Sequence, residues 1–239
     1  MGGQYIDAVV FKRLSGLCAI CHGWGRGRVC ADCLGRFAAP VPRCRRCALE
    51  VPDGVMECGD CLVNPPPFRH TVAAVDYAPP WAALITRFKF HGALDLTTTL
   101  TGLVRAAQTR SGAPPAAWVL PVPLSDARLR ERGFNQAWEL ARRLALPAGC
   151  RADPRLLLRV RDSPHQLALA PDRRAINVHG VFAVEPRRRA ELRGRAVAVV
   201  DDVMTTGATG AEIARVLLQA GAAQVDLWVV ARTPRPPDR

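Results

Sequence analysis

"VAVVDDVMTTGATGAEIARVLLQAG" (residues 197–221) decides how the rest of the chain is read. Four apolar residues run straight into Asp201 and Asp202, the pattern of a strand buried on both faces. "VMTTGATG" (203–210) reads as a tight turn that opens a helix. "TGAEIARVLLQAG" (209–221) has helical periodicity, with Gly221 as its C-cap. Open parallel sheets bind ligands at the carboxyl ends of their strands. Adjacent carboxylates repel, so the pair calls for a cationic or hydrogen-bond-donating partner. Gly207 can take backbone angles closed to other residues, and Thr205, Thr206 and Thr209 carry hydroxyls. With Ala208 they place backbone amides at a helix start, which makes a phosphate cradle of residues 205–209. A sugar phosphate meets both demands.

Other acidic strand ends fit less well. A nucleotide-hydrolysing strand of this kind needs a G-x4-G-K-[ST] loop, and the chain has none. A phospho-acceptor aspartate calls for a lysine on a later strand, and none follows Lys89. A plain strand–turn–helix with aspartates as caps needs fewer polar groups than are present.

Upstream, strands alternate with helices. "TVAAVDYA" (71–78) reads as a strand, and "PPWAALITRFKFHG" (79–92) as a helix burying Trp81, Leu84, Ile85 and Phe88. A second helix is expected over 94–108. "AWVLPVPL" (117–124) is an apolar strand stopped by prolines; a basic loop follows, and a helix from about Asn135. Residues 151–184 suggest a strand, a mobile segment, a short helix from about Pro171 and another strand. "QVDLWVVAR" (224–232) is the last strand. The fold class is therefore α/β, a mainly parallel sheet with helices on both faces. The proline-rich "VNPPPFRH" (63–70) is read as the joint between residues 1–66 and 67–239.

Eight of the nine cysteines precede that joint, as four C-x2-C pairs: Cys18/Cys21, Cys30/Cys33, Cys44/Cys47 and Cys58/Cys61. Two intervening residues aim both thiolates at one tetrahedral ion, and a second pair closes the shell. Two structural Zn2+ ions are expected, in sequential sites or with the first pair interleaved with the third. So short a segment buries little core, and metal would supply its folding energy. Closed four-thiolate sites leave no open position for catalysis. His22 is read as a surface residue.

The net charge is +12, and Lys12 and Lys89 are the only lysines. Such a charge favours a polyanionic partner but does not name one. No apolar run approaches the ~20 residues of a membrane helix, and no signal-peptide core stands out. A cytoplasmic chain without membrane insertion is expected.

"VVDDVMTTGAT" (199–209) resembles the phosphoribosyl pyrophosphate (PRPP) signature of type I phosphoribosyltransferases. The zinc-ribbon pairs ahead of it, with "PVPLSDARLRERGFNQA" (121–137) between, resemble the ComF family along almost the whole chain. "FKFHG" (88–92) and "HQLALAPDRRAINVHGVF" (165–182) extend that likeness. The resemblance implies a type I phosphoribosyltransferase-like domain behind a double zinc ribbon. It implies that Asp201 and Asp202 contact the ribose hydroxyls and that 205–209 wraps the 5′-phosphate. Pro123 and Leu124 would approach a pyrophosphate bridged by Mg2+. Arg128, Arg130, Arg132, Arg173, Arg174 and Lys89 become candidate pyrophosphate or DNA contacts, against a reading as solvated surface charge or, for Lys89, packing. Two functions remain open: a phosphoribosyltransferase acting on a base or amine, linked by family to competence and DNA uptake, and a non-catalytic protein that binds single-stranded DNA. A helicase-like protein partner is a third, compatible role.

Overall fold

The computed structural model describes residues 15–144, 150–161 and 180–235. It divides into two compact units, Met1–Ala39 and Pro40–Arg239.

The smaller unit holds a short antiparallel hairpin, β1 (Ser15–Leu17) and β2 (Trp24–Arg26), followed by helix α1 (Ala31–Phe37). Among its described residues the buried side chains are Cys18, Val29 and Cys33. Its core is largely sulfur.

The larger unit begins before the joint read from the sequence, because residues 43–48 are strapped to the sheet. Thr71 donates its backbone N–H to Arg45 O (2.8 Å) and its hydroxyl to Arg46 O (2.5 Å). Arg43 pairs with Asp76 at 2.8 Å, and Ala48 lies fully buried in the main core. After α2 (Gly59–Val63) come β3 (His70–Asp76), α3 (Trp81–Phe90), a 3-10 turn and α4 (Thr97–Ser111). Then follow β4 (Trp118–Pro121), α5 (Asp126–Arg132), α6 (Gln136–Ala141), β5 (Arg151–Ala152) and β6 (Leu157–Arg159). The chain ends with β7 (Phe182–Val184), β8 (Ala196–Met204), α7 (Ala208–Gln219) and β9 (Gln224–Arg232).

Five strands form one parallel sheet in the order β3-β9-β8-β4-β5, while β6 and β7 pair antiparallel beside it. Side chains alternate between faces with period two. Val197 and Val199 of β8, with Leu227 and Val229 of β9, pack against Ile213, Ala214 and Leu217 of α7. The alternate residues Ala198, Val200, Trp228 and Val230 are also buried, on strands that contact α4 and α6. Burial on both faces is why these strands are continuously apolar. In α3, Trp81, Leu84, Ile85 and Phe88 are all buried as the periodicity expects. Each such side chain contributes about 1.5–3 kcal/mol.

Residues 125–134, expected as a loop, are not one. They form α5, capped by Ser125, whose hydroxyl accepts from Arg128 N, and closed by Gly133 at φ 75°. A polar seven-residue helix has no apolar stripe to betray it, although the cap residues signal its ends. The helix from Asn135 forms, with the Asn135 side chain accepting from Ala137 N and Trp138 N. The helix expected near Pro171, with Arg173 and Arg174, lies outside the described residues. No helix among the described residues is long and apolar enough to cross a membrane.

Candidate functional site

β8 does not stop at the aspartates. Its pairing with β9 continues through Val203↔Ala231 and Met204↔Arg232. Asp201 and Asp202 are therefore successive residues within a strand whose Cα–Cβ bonds leave opposite faces of the sheet, although their carboxyls remain close enough to interact.

Asp202 is 2% exposed and faces Lys89, whose Nζ lies 3.0 Å from Oδ2 and donates to Oδ1 at 3.3 Å. A charge this buried must be paired. Lys89, in the last turn of α3, supplies the pair from 113 residues away. Part of the compensation that the sequence seeks in a ligand is thus internal.

Asp201 is half-buried, and its Oδ1 turns back to accept from Asp202 N at 2.8 Å. Burial raises its pKa well above the usual carboxylate range. The Asp202 charge adds to the rise, and Lys89 opposes it. Asp201 opens into a cavity of about 50 Å3, shared with Val122, Thr205, Gly207, Ala208 and Thr209.

The turn itself is built for close approach. Gly207 has φ 85°, and a Cβ there would sit 2.6 Å from Met204 Cε. At Gly210, in the first turn of α7, a Cβ would sit 2.5 Å from Leu227 Cδ1, so the helix start lies tight against β9. Thr206 Oγ1 accepts from Ala208 N at 3.3 Å, while Thr205 and Thr206 are exposed. The opening amides of an α-helix have no intrahelical acceptor. They carry partial positive charge beside a carboxylate on the same cavity.

Pro123 and Leu124 line a different space, a groove of about 590 Å3 with Leu129, Trp138 and Leu157. Their neighbour Val122 reaches the Asp201 cavity. Of the α5 arginines, Arg130 is exposed and Arg128 half-buried. Arg132 turns toward the site: it donates to Gln136 Oε1 at 3.1 Å, and its guanidinium sits 4.7 Å over the Phe90 ring. Burial and Arg128 lower its pKa, and the charges of Asp202 and Asp201 oppose that.

The cysteines form two sets, Cys18/Cys21/Cys30/Cys33 and Cys44/Cys47/Cys58/Cys61, each with its sulfurs within 4.8 Å of one another. The sets are sequential, not interleaved, and His22 is in neither. Sulfurs about 2.3 Å from a tetrahedral zinc stand roughly 3.8 Å apart. Cys21 and Cys30 sulfurs are 3.8 Å apart, and those of Cys47 and Cys58 3.6 Å. Backbone amides donate to Cys18 Sγ from Cys30 (3.4 Å) and to Cys44 Sγ from Cys58 (3.3 Å), as thiolates require. Both sets fit one zinc ion each. Without metal the sulfurs of a set cannot ionise together. Burial raises the pKa of Cys18, but backbone amides outweigh it and hold the thiol at about 6. Burial and neighbouring sulfurs push Cys33 up to about 12. In the second set Cys44 falls to about 7, its amides outweighing burial, whereas burial pushes Cys47 up to about 11.

One residue carries no signal in the sequence beyond its place at the end of a strand. Arg232 is 6% exposed and donates through Nε to Cys47 O at 2.8 Å. Its Nη1 donates to Met204 O (3.2 Å), Thr205 O and Thr233 O (2.8 Å).

No family model matches the chain. The DNA utilization protein YhgH of Salmonella typhi is 35% identical over 228 residues, covering 91% of this chain and 97% of that one. Competence protein F of Haemophilus influenzae is 30% identical over 223 residues, covering 90% and 96%. Competence protein ComFC of Bacillus subtilis is 25% identical over 211 residues, covering 87% and 79%. A solved structure of the allosteric regulatory enzyme of purine biosynthesis covers 61% of this chain and 30% of its own, with 19% identity and a TM-score of 0.38, too distant to bear on the site. Relatives matched at 30% identity and above, over nearly their full length, place the chain in the ComF family of DNA-utilisation and competence proteins.

Proposed function

We propose that the larger unit binds PRPP, as its Mg2+ complex, at the carboxyl end of the sheet. The observation that carries this reading is one cavity shared by the Asp201 carboxyl and the amide-rich start of α7. The 5′-phosphate sits at residues 205–209, and Asp201 and Asp202 take the ribose hydroxyls, with Lys89 remaining the counter-ion of Asp202. Pyrophosphate extends toward Pro123 and Leu124, and Arg128, Arg130 and Arg132 neutralise it. Departure of pyrophosphate leaves an electron-poor ribose carbon, which nearby carboxylates stabilise while the arginines hold the leaving charge. We read transfer of the ribosyl group to a base or amine as the reaction such a site would serve, and the relatives' names associate it with DNA utilisation.

Titration of PRPP with Mg2+ against the wild type and the Asp201→Asn/Asp202→Asn variant tests the site. Hydrogen bonds to charged groups contribute about 1.5–3 kcal/mol each, so the variant binds at least ~100-fold more weakly. Equal affinities would remove the site. Because the Asp201 pKa is raised, wild-type affinity climbs with pH until that carboxyl ionises, and the variant loses this dependence.

A second reading, single-stranded DNA binding, rests on Phe90. Its ring is 56% exposed, beside Lys89 and stacked under Arg132. Exposed aromatics flanked by cations are platforms for unpaired bases. Changing Arg128, Arg130 and Arg132 to Ala weakens a salt-sensitive strand shift if α5 contacts the backbone. An unchanged shift clears α5 of that role.

A further inference from the structure

We infer that Arg232 is a positioning residue through which the second cysteine set holds the phosphate-binding turn in shape. This inference rests on the PRPP reading only for what the turn binds; the coupling itself stands on geometry. Arg232 lies at the carboxyl end of β9, in register with Met204 of β8 on one side and Asp76 of β3 on the other. Its guanidinium has two jobs at once. Nε is committed to the carbonyl of Cys47, a residue of the second set. Nη1 gathers the carbonyls of Met204, Thr205 and Thr233, where β8 gives way to the turn.

Carbonyls drawn inward by a buried cation orient the following peptide planes, so the amides of the turn face the other way. The planar, always-charged fork of arginine suits such a hub, and a lysine ammonium cannot reproduce its geometry. A second link runs through packing. Ala48, next to Cys47, is fully buried in one apolar cluster with Phe68 and Met204. The Met204 and Phe68 side chains are those that a Cβ on Gly207 would meet, at 2.6 and 3.8 Å. Movement of the Cys47–Ala48 corner is therefore transmitted to the turn by a hydrogen-bonded and a packed route. With metal bound, that corner is fixed. Without it, the Cys47 carbonyl drifts and Arg232 loses one anchor.

The test uses the full zinc-loaded chain and reads backbone hydrogen exchange in peptides spanning 203–209, with peptides from α4 as the control for global folding. Chelation of the wild type speeds exchange in 203–209 at least tenfold while α4 stays protected. Cys58→Ser has the same effect. Arg232→Gln speeds the turn with metal still bound, and adding Cys58→Ser to it gives no further increase. A purely structural arginine would give additive effects. Arg232→Lys, a gentler change, also loses the response to metal. Turn exchange unchanged by chelation of the wild type overturns the inference, as does a full metal response surviving in either arginine variant. PRPP affinity measured on the same samples separates the two readings. Coupled exchange without PRPP binding sinks the ligand but keeps the coupling, and PRPP binding without coupled exchange does the reverse.

Discussion

Stripping metal from the chain with a strong chelator is expected to unfold residues 15–39 outright and to lower the melting temperature of the larger unit by more than ~10 °C. Structural zinc contributes about 10–16 kcal/mol in small cysteine modules, as much as or more than the ~5–15 kcal/mol that stabilises a typical whole domain. The smaller unit has little besides its sulfur cluster to replace that contribution. In the larger unit the second set is roofed by Val51 and adjoins the main core at Ala48. Its loss therefore loosens that corner and lowers the melting temperature while the sheet stays folded at room temperature. Metal analysis is expected to return two zinc ions per chain, and calorimetry with and without chelator reads the loss. One ion, or a melting curve indifferent to chelation, contradicts the two-site account. Protons compete for the sulfurs, so metal affinity falls as pH falls.

Lys89→Met is expected to cost about 3–5 kcal/mol, because it leaves the Asp202 carboxylate site 2% exposed and without its cation. Denaturant melts measure the cost. Adding Asp202→Asn to Lys89→Met recovers much of the loss, since a neutral amide no longer needs the ammonium. A loss below ~1 kcal/mol would mean that water, not Lys89, solvates Asp202. The comparison measures Lys89 as the internal counter-ion of Asp202, a role the sequence does not assign to it.

What could be read from the sequence follows the range of the interactions involved. The C-x2-C spacing is local, and it identified both cysteine sets, though not which pairs join. The apolar run ending in Asp201 and the glycine-marked start of α7 are also local, so the strand, the turn and the direction of the sheet were legible. The burial of Trp81, Leu84, Ile85 and Phe88 follows from period alone. By contrast, the partner of Asp202 lies 113 residues upstream, and Arg232 reaches a carbonyl 185 residues away. No window of sequence contains such contacts. The extension of β8 to Met204 is similarly imposed by β9, not by propensity, and it sets the two aspartates inside the strand instead of beyond its end. The earlier start of the larger unit has the same origin. Prolines at 65–67 look like a joint, yet the backbone of residues 45–46 is already bonded to Thr71 of β3.

The most direct measurement is a crystal of the zinc-loaded chain soaked with PRPP and Mg2+. The account predicts phosphate density within hydrogen-bonding distance of the amides of residues 205–209, with the pentose hydroxyls against Asp201 and Asp202. Density for the sugar phosphate elsewhere, with this turn empty, would contradict it.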